Sequence, residues 1–259
     1  MMAVRSLLGN IWVYTLLGMG CIFISVFGWF IPQKWNVVYW NKLMLPLVLW
    51  GLRVLGGISI EVRGKQYINQ EGAVYASKHE SAMETYTLTT IITRGVMILK
   101  KELTYIPFFG WAQALYGLIP VDRSAGARAM KNMLAAAKKR VEEKRPIIIF
   151  PEGHRMKPGL TQKYKPGFLF MAQNLKLPVI PVALNTGMFW PRSSAKHFCG
   201  KVIIEFMEPM MPEGDKNEFM EKLQAKIEAK CAELNAETVK NYPYTAVNLA
   251  QEEDIKKTA

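Results

Sequence analysis

Cysteine is scarce. Three occur in 259 residues, Cys21, Cys199 and Cys231, with no short spacing among them. That excludes a disulfide scaffold and a C-x-x-C redox or zinc motif, and it suits a reducing compartment. Acidic residues are also few, 21 Asp and Glu against 33 Lys and Arg, for a formal net charge of +12. This deficit points to anionic partners: a membrane surface, nucleic acid or phosphorylated substrates. Internal repeats and low-complexity segments are absent. Apolar residues are not lacking. They make up 50% of the chain, which excludes global disorder and allows one large domain, or one domain with an appendage.

Charge is missing altogether from residues 6 to 33, between Arg5 and Lys34. As a helix this run is about 42 Å long, against a bilayer core of about 30 Å. It is long enough to span with tilt, or to enter and turn back. Gly18, Gly20 and Gly28 permit a bend, and Pro32 is expected to end the helix. Trp12, Trp29, Trp35 and Trp40 suit the interface. A cleaved signal peptide is the rival reading. Against it stand a single Arg before the run, its excessive length and the lack of an A-x-A site. A second apolar stretch, Leu43 to Ile60, reads as a core helix or as an interfacial helix partnering the first. Lys34, Lys42 and Arg53 follow closely, so the body is expected on the cytoplasmic side.

Beyond residue 60, strand and helix patterns alternate. Strands are expected at Gly72–Ser77, Val96–Leu99, Pro146–Phe150, Val179–Leu184 and Lys201–Phe206. Helices are expected at Ser81–Arg94, Ala125–Lys144, Pro166–Leu175 and Asp215–Val239. Pro181 suggests an irregular or edge position. The pattern is α/β, a sheet covered by helices. The expected division is 1–60 for membrane anchoring, 61–239 for the main α/β domain and 240–259 for a polar, loosely held tail.

Four motifs carry chemistry. In Lys78-His79-Glu80-Ser81-Ala82-Met83-Glu84 a strand ends and a helix begins. A carboxylate on one imidazole nitrogen leaves the other free as a general base. Ser81-x-x-Glu84 also reads as a capping box, and the two roles are compatible. Phe150-Pro-Glu-Gly-His-Arg155 follows an apolar strand, where α/β proteins place ligand loops. It reads as a ligand loop or as a strand-ending turn. Gly117-Leu-Ile-Pro-Val-Asp-Arg123, with Lys100-Lys101 upstream, offers cations near strand ends, which bind phosphate or remain a solvated surface. Val179-Ile-Pro-Val182 has no reactive group and can only shape a pocket.

In order and spacing these motifs resemble the 1-acyl-glycerol-3-phosphate acyltransferases, over roughly residues 60 to 210. That family's motifs are N-H-x-x-x-x-D, G-x-x-x-[IV]-x-R, F-P-E-G-T-R and V-I-P-V. His79 matches the catalytic histidine. Gly117, Val121 and Arg123 match the second motif, and Phe150, Pro151, Glu152, Gly153 and Arg155 the third. Lys100-Lys101 with Ile106-Pro107-Phe108-Phe109-Gly110 matches a segment common in bacterial members. Glu84 departs from the family's Asp, and His154 from its Thr.

The resemblance implies a glycerolipid acyltransferase-like sheet with an N-terminal membrane-associated helical segment. It implies that His79, oriented by Glu84, deprotonates the 2-hydroxyl of lysophosphatidic acid for attack on an acyl thioester. Arg123, Arg155 and Lys100 or Lys101 would hold the acceptor phosphate, with Glu152 and Gly153 shaping the site. No acyl-enzyme, metal or cofactor is expected; acyl-CoA or acyl-ACP is the co-substrate. Phosphatidic acid for phospholipid synthesis is the product, at the cytoplasmic face of the inner membrane. Glycerol 3-phosphate or lyso-ornithine lipid is the alternative acceptor. A lipid-binding protein with a degenerate site is a further reading. A nucleic-acid binder is disfavoured because the charges are dispersed.

Overall fold

The computed structural model describes residues 2–69, 71–192, 194–251 and 254; the side chain of Arg123 lies outside this description. The uncharged N-terminal run forms one unbroken helix, α1 (Met2–Phe27), followed by a 3-10 turn at Gly28–Phe30. Pro32, whose ring cannot continue the helix, stands just before α2 (Gln33–Tyr39). A π turn at Trp40–Met44 leads into α3 (Leu45–Val54), with Pro46 in its first turn, where no N–H partner is lost.

These helices do not stand away from the body. Near one end of α1 the Ser6 hydroxyl donates to Ala195 O at 2.9 Å and accepts His197 N–H at 2.7 Å. Near the other end the Ser25 hydroxyl donates to Phe108 O at 2.7 Å. α1 is long and apolar enough to cross a bilayer, yet it lies along the protein. Its inner residues Val13 and Ile24 are buried, while Leu7, Ile11, Ile22 and Phe27 are exposed. α3 is divided in the same way: Val48 and Leu52 are buried, Leu47, Trp50 and Val54 exposed. Of the apolar stretch 43–60 only Leu45–Val54 is α-helix, and Ile58–Ile60 begin the first strand of the sheet.

The sheet has seven strands in the order β1-β7-β6-β2-β5-β3-β4. They are β1 (Ile58–Arg63), β2 (Val74–Ser77), β3 (Val96–Lys100), β4 (Ile119–Val121), β5 (Ile147–Ile149), β6 (Val179–Leu184) and β7 (Gly200–Phe206). β6, β2, β5, β3 and β4 run parallel. β7 is antiparallel to β6 and carries β1 parallel to itself. β2 and β6 are buried along their whole length, as a parallel sheet covered on both faces requires. Alternation divides the core. Tyr75, Met97 and Ile148 pack with α1–α3, α4 (Met83–Ile91) and α5 (Phe109–Tyr116). Val74, Val96 and Ile147 pack with α6 (Gly126–Glu142), α7 (Gly167–Asn174) and α9 (Lys216–Asn241).

Of the two positions expected for Pro181, irregular or edge, the structure shows the irregular one, because β6 lies between β7 and β2. The proline is tolerated because the ladder to β7 breaks there. Regular pairing ends at Val182↔Phe206, and the next bridge is Val179↔Met210, so one extra residue on the outer chain skips the proline. One expectation needs correction: residues 240–250 are not loose. After α9 they turn back through Pro243–Asn248, bury Thr245 and Asn248, and bond Ala250 N–H to Pro158 O at 2.8 Å. Most of residues 252–259 lie outside the described residues. The N-terminal helices and the sheet share one core cluster rather than two.

Candidate active site

Five parallel strands end at one rim of the sheet, and each delivers a motif there. His79 follows β2, Lys100 and Lys101 end and follow β3, Asp122 follows β4, Phe150–Arg155 follow β5, and Thr186 opens α8 (Thr186–Phe189) after β6. Ligands of open α/β sheets bind outside the carboxyl ends of strands. Because β2 lies between β6 and β5, the His79 loop is flanked by Thr186 and Phe150.

His79 Nδ1 is 2.7 Å from Glu84 Oε1. The same oxygen accepts the backbone N–H groups of Glu80 at 2.7 Å and Ser81 at 2.6 Å. The other carboxylate oxygen accepts the Thr186 hydroxyl at 2.8 Å. Glu84 therefore caps the start of α4 and orients His79 at once. Its anion also sits at the positive end of that helix. The extra methylene of Glu over Asp is accommodated by its place in the first helical turn. The Glu84 side chain is fully buried, whereas His79 keeps 16% of its side-chain surface. Phe150 stacks on the imidazole, centroids 4.0 Å apart and planes at 18°, and Met156 N–H donates to His79 O at 2.7 Å. Both faces of the loop are thereby held, and Nε2 is the ring nitrogen left for a substrate.

His79 and Phe150 lie at the wall of an apolar cavity of about 570 Å³. It extends between α1, the π turn, α4 and α5, past Leu17, Trp40, Leu45, Thr89 and Ala112. Lys100, Gly153 and exposed His154 also line it. Its size and lining suit a hydrocarbon chain.

The remaining residues expected from sequence are placed unequally. Lys100 and Gly153 line the cavity, and Gly153 turns the loop at φ +80, a conformation natural to glycine. Lys101 is outside it and pairs with Asp122 at 3.2 Å. Arg155 follows on the same loop, half-buried. Arg123 begins the turn after β4, and its side chain lies outside the described residues.

Glu152, expected to shape the site, is placed behind it. It is fully buried, because its carboxylate serves the scaffold: Oε1 accepts His79 N–H at 3.3 Å and is 3.4 Å from Lys78 Nζ. Lys78 in turn meets both oxygens of Glu228, on α9, at 2.8 Å and donates to Leu160 O. Burial pushes the Glu152 carboxyl up to about 7, with Lys78 opposing. This network, Thr186 and the Glu80 contact below were not read from sequence. Their partners are 73 to 150 residues away along the chain. A lysine closing a buried strand was the only local sign.

Glu80 is buried beside the pair, its Oε2 accepting Gly187 N–H at 3.1 Å. A Cβ at Gly187 would come within 2.8 Å of Glu80 Cβ, so only glycine fits. Burial raises the Glu80 carboxyl to about 8, Lys78 opposing and Glu84 adding to the rise. The folded protein therefore holds a proton that the unfolded chain releases above the ordinary value of 4.5. The group's contribution to stability is full below that value and is lost as pH rises toward about 8. Glu80→Gln should flatten the decline of Tm between pH 5 and 8. Parallel declines in variant and parent would refute the assignment to Glu80.

Comparison with known proteins agrees with this geometry. Residues 59–185 match the Acyltransferase family model. The 1-acyl-sn-glycerol-3-phosphate acyltransferase of Pseudomonas aeruginosa is 35% identical over 208 residues, 80% of this chain and 77% of that protein. The yeast (Saccharomyces cerevisiae) enzyme of the same name is 29% identical, over 67% of this chain and 60% of that one. A crystal structure titled as the 1-acyl-sn-glycerophosphate (LPA) acyltransferase PlsC of Thermotoga maritima superposes with TM-score 0.74 at 22% identity, covering 91% of this chain and 98% of that one. The shared fold, the motif order and this level of identity lead to one conclusion: the chain belongs to the 1-acyl-sn-glycerol-3-phosphate acyltransferase family.

Proposed function

We propose that the protein transfers an acyl group from a thioester, acyl-CoA or acyl-ACP, to the 2-hydroxyl of 1-acyl-glycerol 3-phosphate, forming phosphatidic acid. The observation that carries the reading is the 2.7 Å contact of His79 with buried Glu84 at the wall of an apolar cavity. His79 Nε2 takes the hydroxyl proton as the oxygen attacks the thioester carbonyl. The imidazolium that forms is stabilised by Glu84 through Nδ1. Collapse of the tetrahedral intermediate breaks the C–S bond, and the proton leaves with the thiol. No covalent enzyme intermediate is needed. Stacked Phe150 and the two backbone anchors keep the ring from turning, which favours attack by positioning.

Arg155 and Lys100, with Arg123, are the cations assigned to the acceptor's phosphate; a guanidinium binds it bidentately. The exposed apolar side of α1–α3, continued by Trp29, Phe30 and Trp35, suits insertion along a bilayer surface rather than across it. Exposed Lys34, Lys42 and Arg53 belong to the same helical segment and suit anionic headgroups. These features support the cytoplasmic face of the inner membrane as the place of action.

The test is an assay of the purified protein on anionic vesicles carrying lysophosphatidic acid, with each thioester in turn. The parent should co-sediment with the vesicles and release phosphatidic acid. Arg155→Ala should raise the KM for lysophosphatidic acid about tenfold or more, because a charged contact of about 1.5–3 kcal/mol is lost. No phosphatidic acid from either donor, or equal turnover of a lysolipid lacking phosphate, would refute the reading.

A further inference from the structure

The mechanism uses one cavity, but the sheet rim carries a second. A cleft of about 270 Å³ lies on the opposite face of the sheet, between α6, α7 and the ends of β3, β4 and β5. Strand alternation explains the pair. Met97 faces the larger cavity, on the side of α1–α5, whereas Ile98 and Leu99, at the end of β3, border both spaces. Val121 and Ile149 face the cleft, with Ala129, Met133 and Phe168. The two spaces share Ile98, Leu99, Phe150 and Gly153, so they meet at the end of β3 and at the ring stacked on His79.

Their surroundings differ. The larger cavity is walled by helices whose outer sides are apolar and exposed. The cleft is bordered by exposed Lys165, and among the described residues no acidic side chain lines it. The start of α6 beside it has no acid in its first turn and carries exposed Arg128 and Lys131. One side of the sheet thus opens toward lipid and the other toward water and anions.

Both substrates must reach His79, and they come from different phases. The acceptor is a membrane lipid, whereas the donor is a soluble thioester on an anionic phosphopantetheine arm. We propose that the cleft between α6 and α7 is the entry subsite for that arm, delivering the thioester past Phe150 to His79. This rests on the thioester-donor reading above. The arm is the same whether coenzyme A or a carrier protein bears it, so one subsite serves both sources. The basic start of α6 suits its phosphate and the anionic carrier beyond.

Gly167 offers a clean probe. It lines the cleft, and a Cβ built there meets nothing within 4 Å. A graded series, Gly167→Ala, Gly167→Val and Gly167→Phe, should fill the cleft progressively. In the full-length protein the KM for acyl-CoA and for acyl-ACP should rise stepwise, reaching about tenfold or more with Phe. The KM for lysophosphatidic acid should stay within about twofold. Circular dichroism and Tm report the fold, and the Ala and Val variants carry the test if Phe is not tolerated. Unchanged donor KM values in folded variants would overturn the proposal. So would a rise in the acceptor KM instead, which would assign the cleft to the lipid, or a rise for acyl-CoA alone. A parent inactive with both thioesters would overturn the donor reading, not the subsite.

Discussion

His79→Ala lowers kcat by about 10²–10⁴-fold, the range expected when a positioned general base is removed. The KM for lysophosphatidic acid should change little, because the cations proposed for its phosphate lie on other loops. The fold survives, because the imidazole is partly exposed at a cavity wall and its backbone bonds to Glu152 and Met156 remain. Steady-state kinetics with a melting curve checks all three points. A variant retaining a tenth or more of the parent's kcat would remove His79 from the base role. A collapse of Tm would mean that the ring holds the loop rather than acts on substrate.

Glu84 gives the second large effect, and two substitutions separate its two tasks. Glu84→Gln keeps the shape and an oxygen that accepts from His79 Nδ1, Glu80 N–H and Ser81 N–H. Its amide group can still meet the Thr186 hydroxyl. What it loses is the negative charge facing the imidazolium of the transition state. kcat should fall by about 10²-fold or more with Tm nearly unchanged. Glu84→Ala should lose activity to a similar degree and stability as well. It leaves two buried backbone N–H groups without partners, at about 1–3 kcal/mol each. As a positioning residue, Glu84 should show its effect in kcat rather than in acceptor KM. Near-parental activity in Glu84→Gln would leave Glu84 a helix cap alone.

The two residues illustrate how sequence and structure divide the problem. His79 stood out because a strand, a histidine and a helix start fall within a few residues. The choice between orienting carboxylate and cap could not be made there. Both readings rest on the same spacing of Glu84, and one oxygen turns out to accept the imidazole and both amides. Glu152 shows the opposite case. Its motif places it in the ligand loop, but whether it faces substrate depends on Lys78 and on Glu228, 150 residues beyond Lys78. Local spacing carries no information about such a partner.

The N-terminal segment teaches the same lesson. Its length and lack of charge mark it as a membrane element, but spanning and lying flat use the same residues. Hydrogen bonds from Ser6 and Ser25 to distant loops lay it along the body.

The motifs and their order establish the family and the chemistry, because catalysis needs given functional groups close to strand ends and those groups are local. Strand and helix patterns establish an α/β body, because burial on alternate faces is written at periods of 2 and 3.6 residues. The strand order β6-β2-β5 belongs to the tertiary structure. It brings Thr186, His79 and Phe150 side by side at one rim of the sheet. Contacts between residues a hundred positions apart depend on which strands pair, and pairing is settled by the packing of the whole chain.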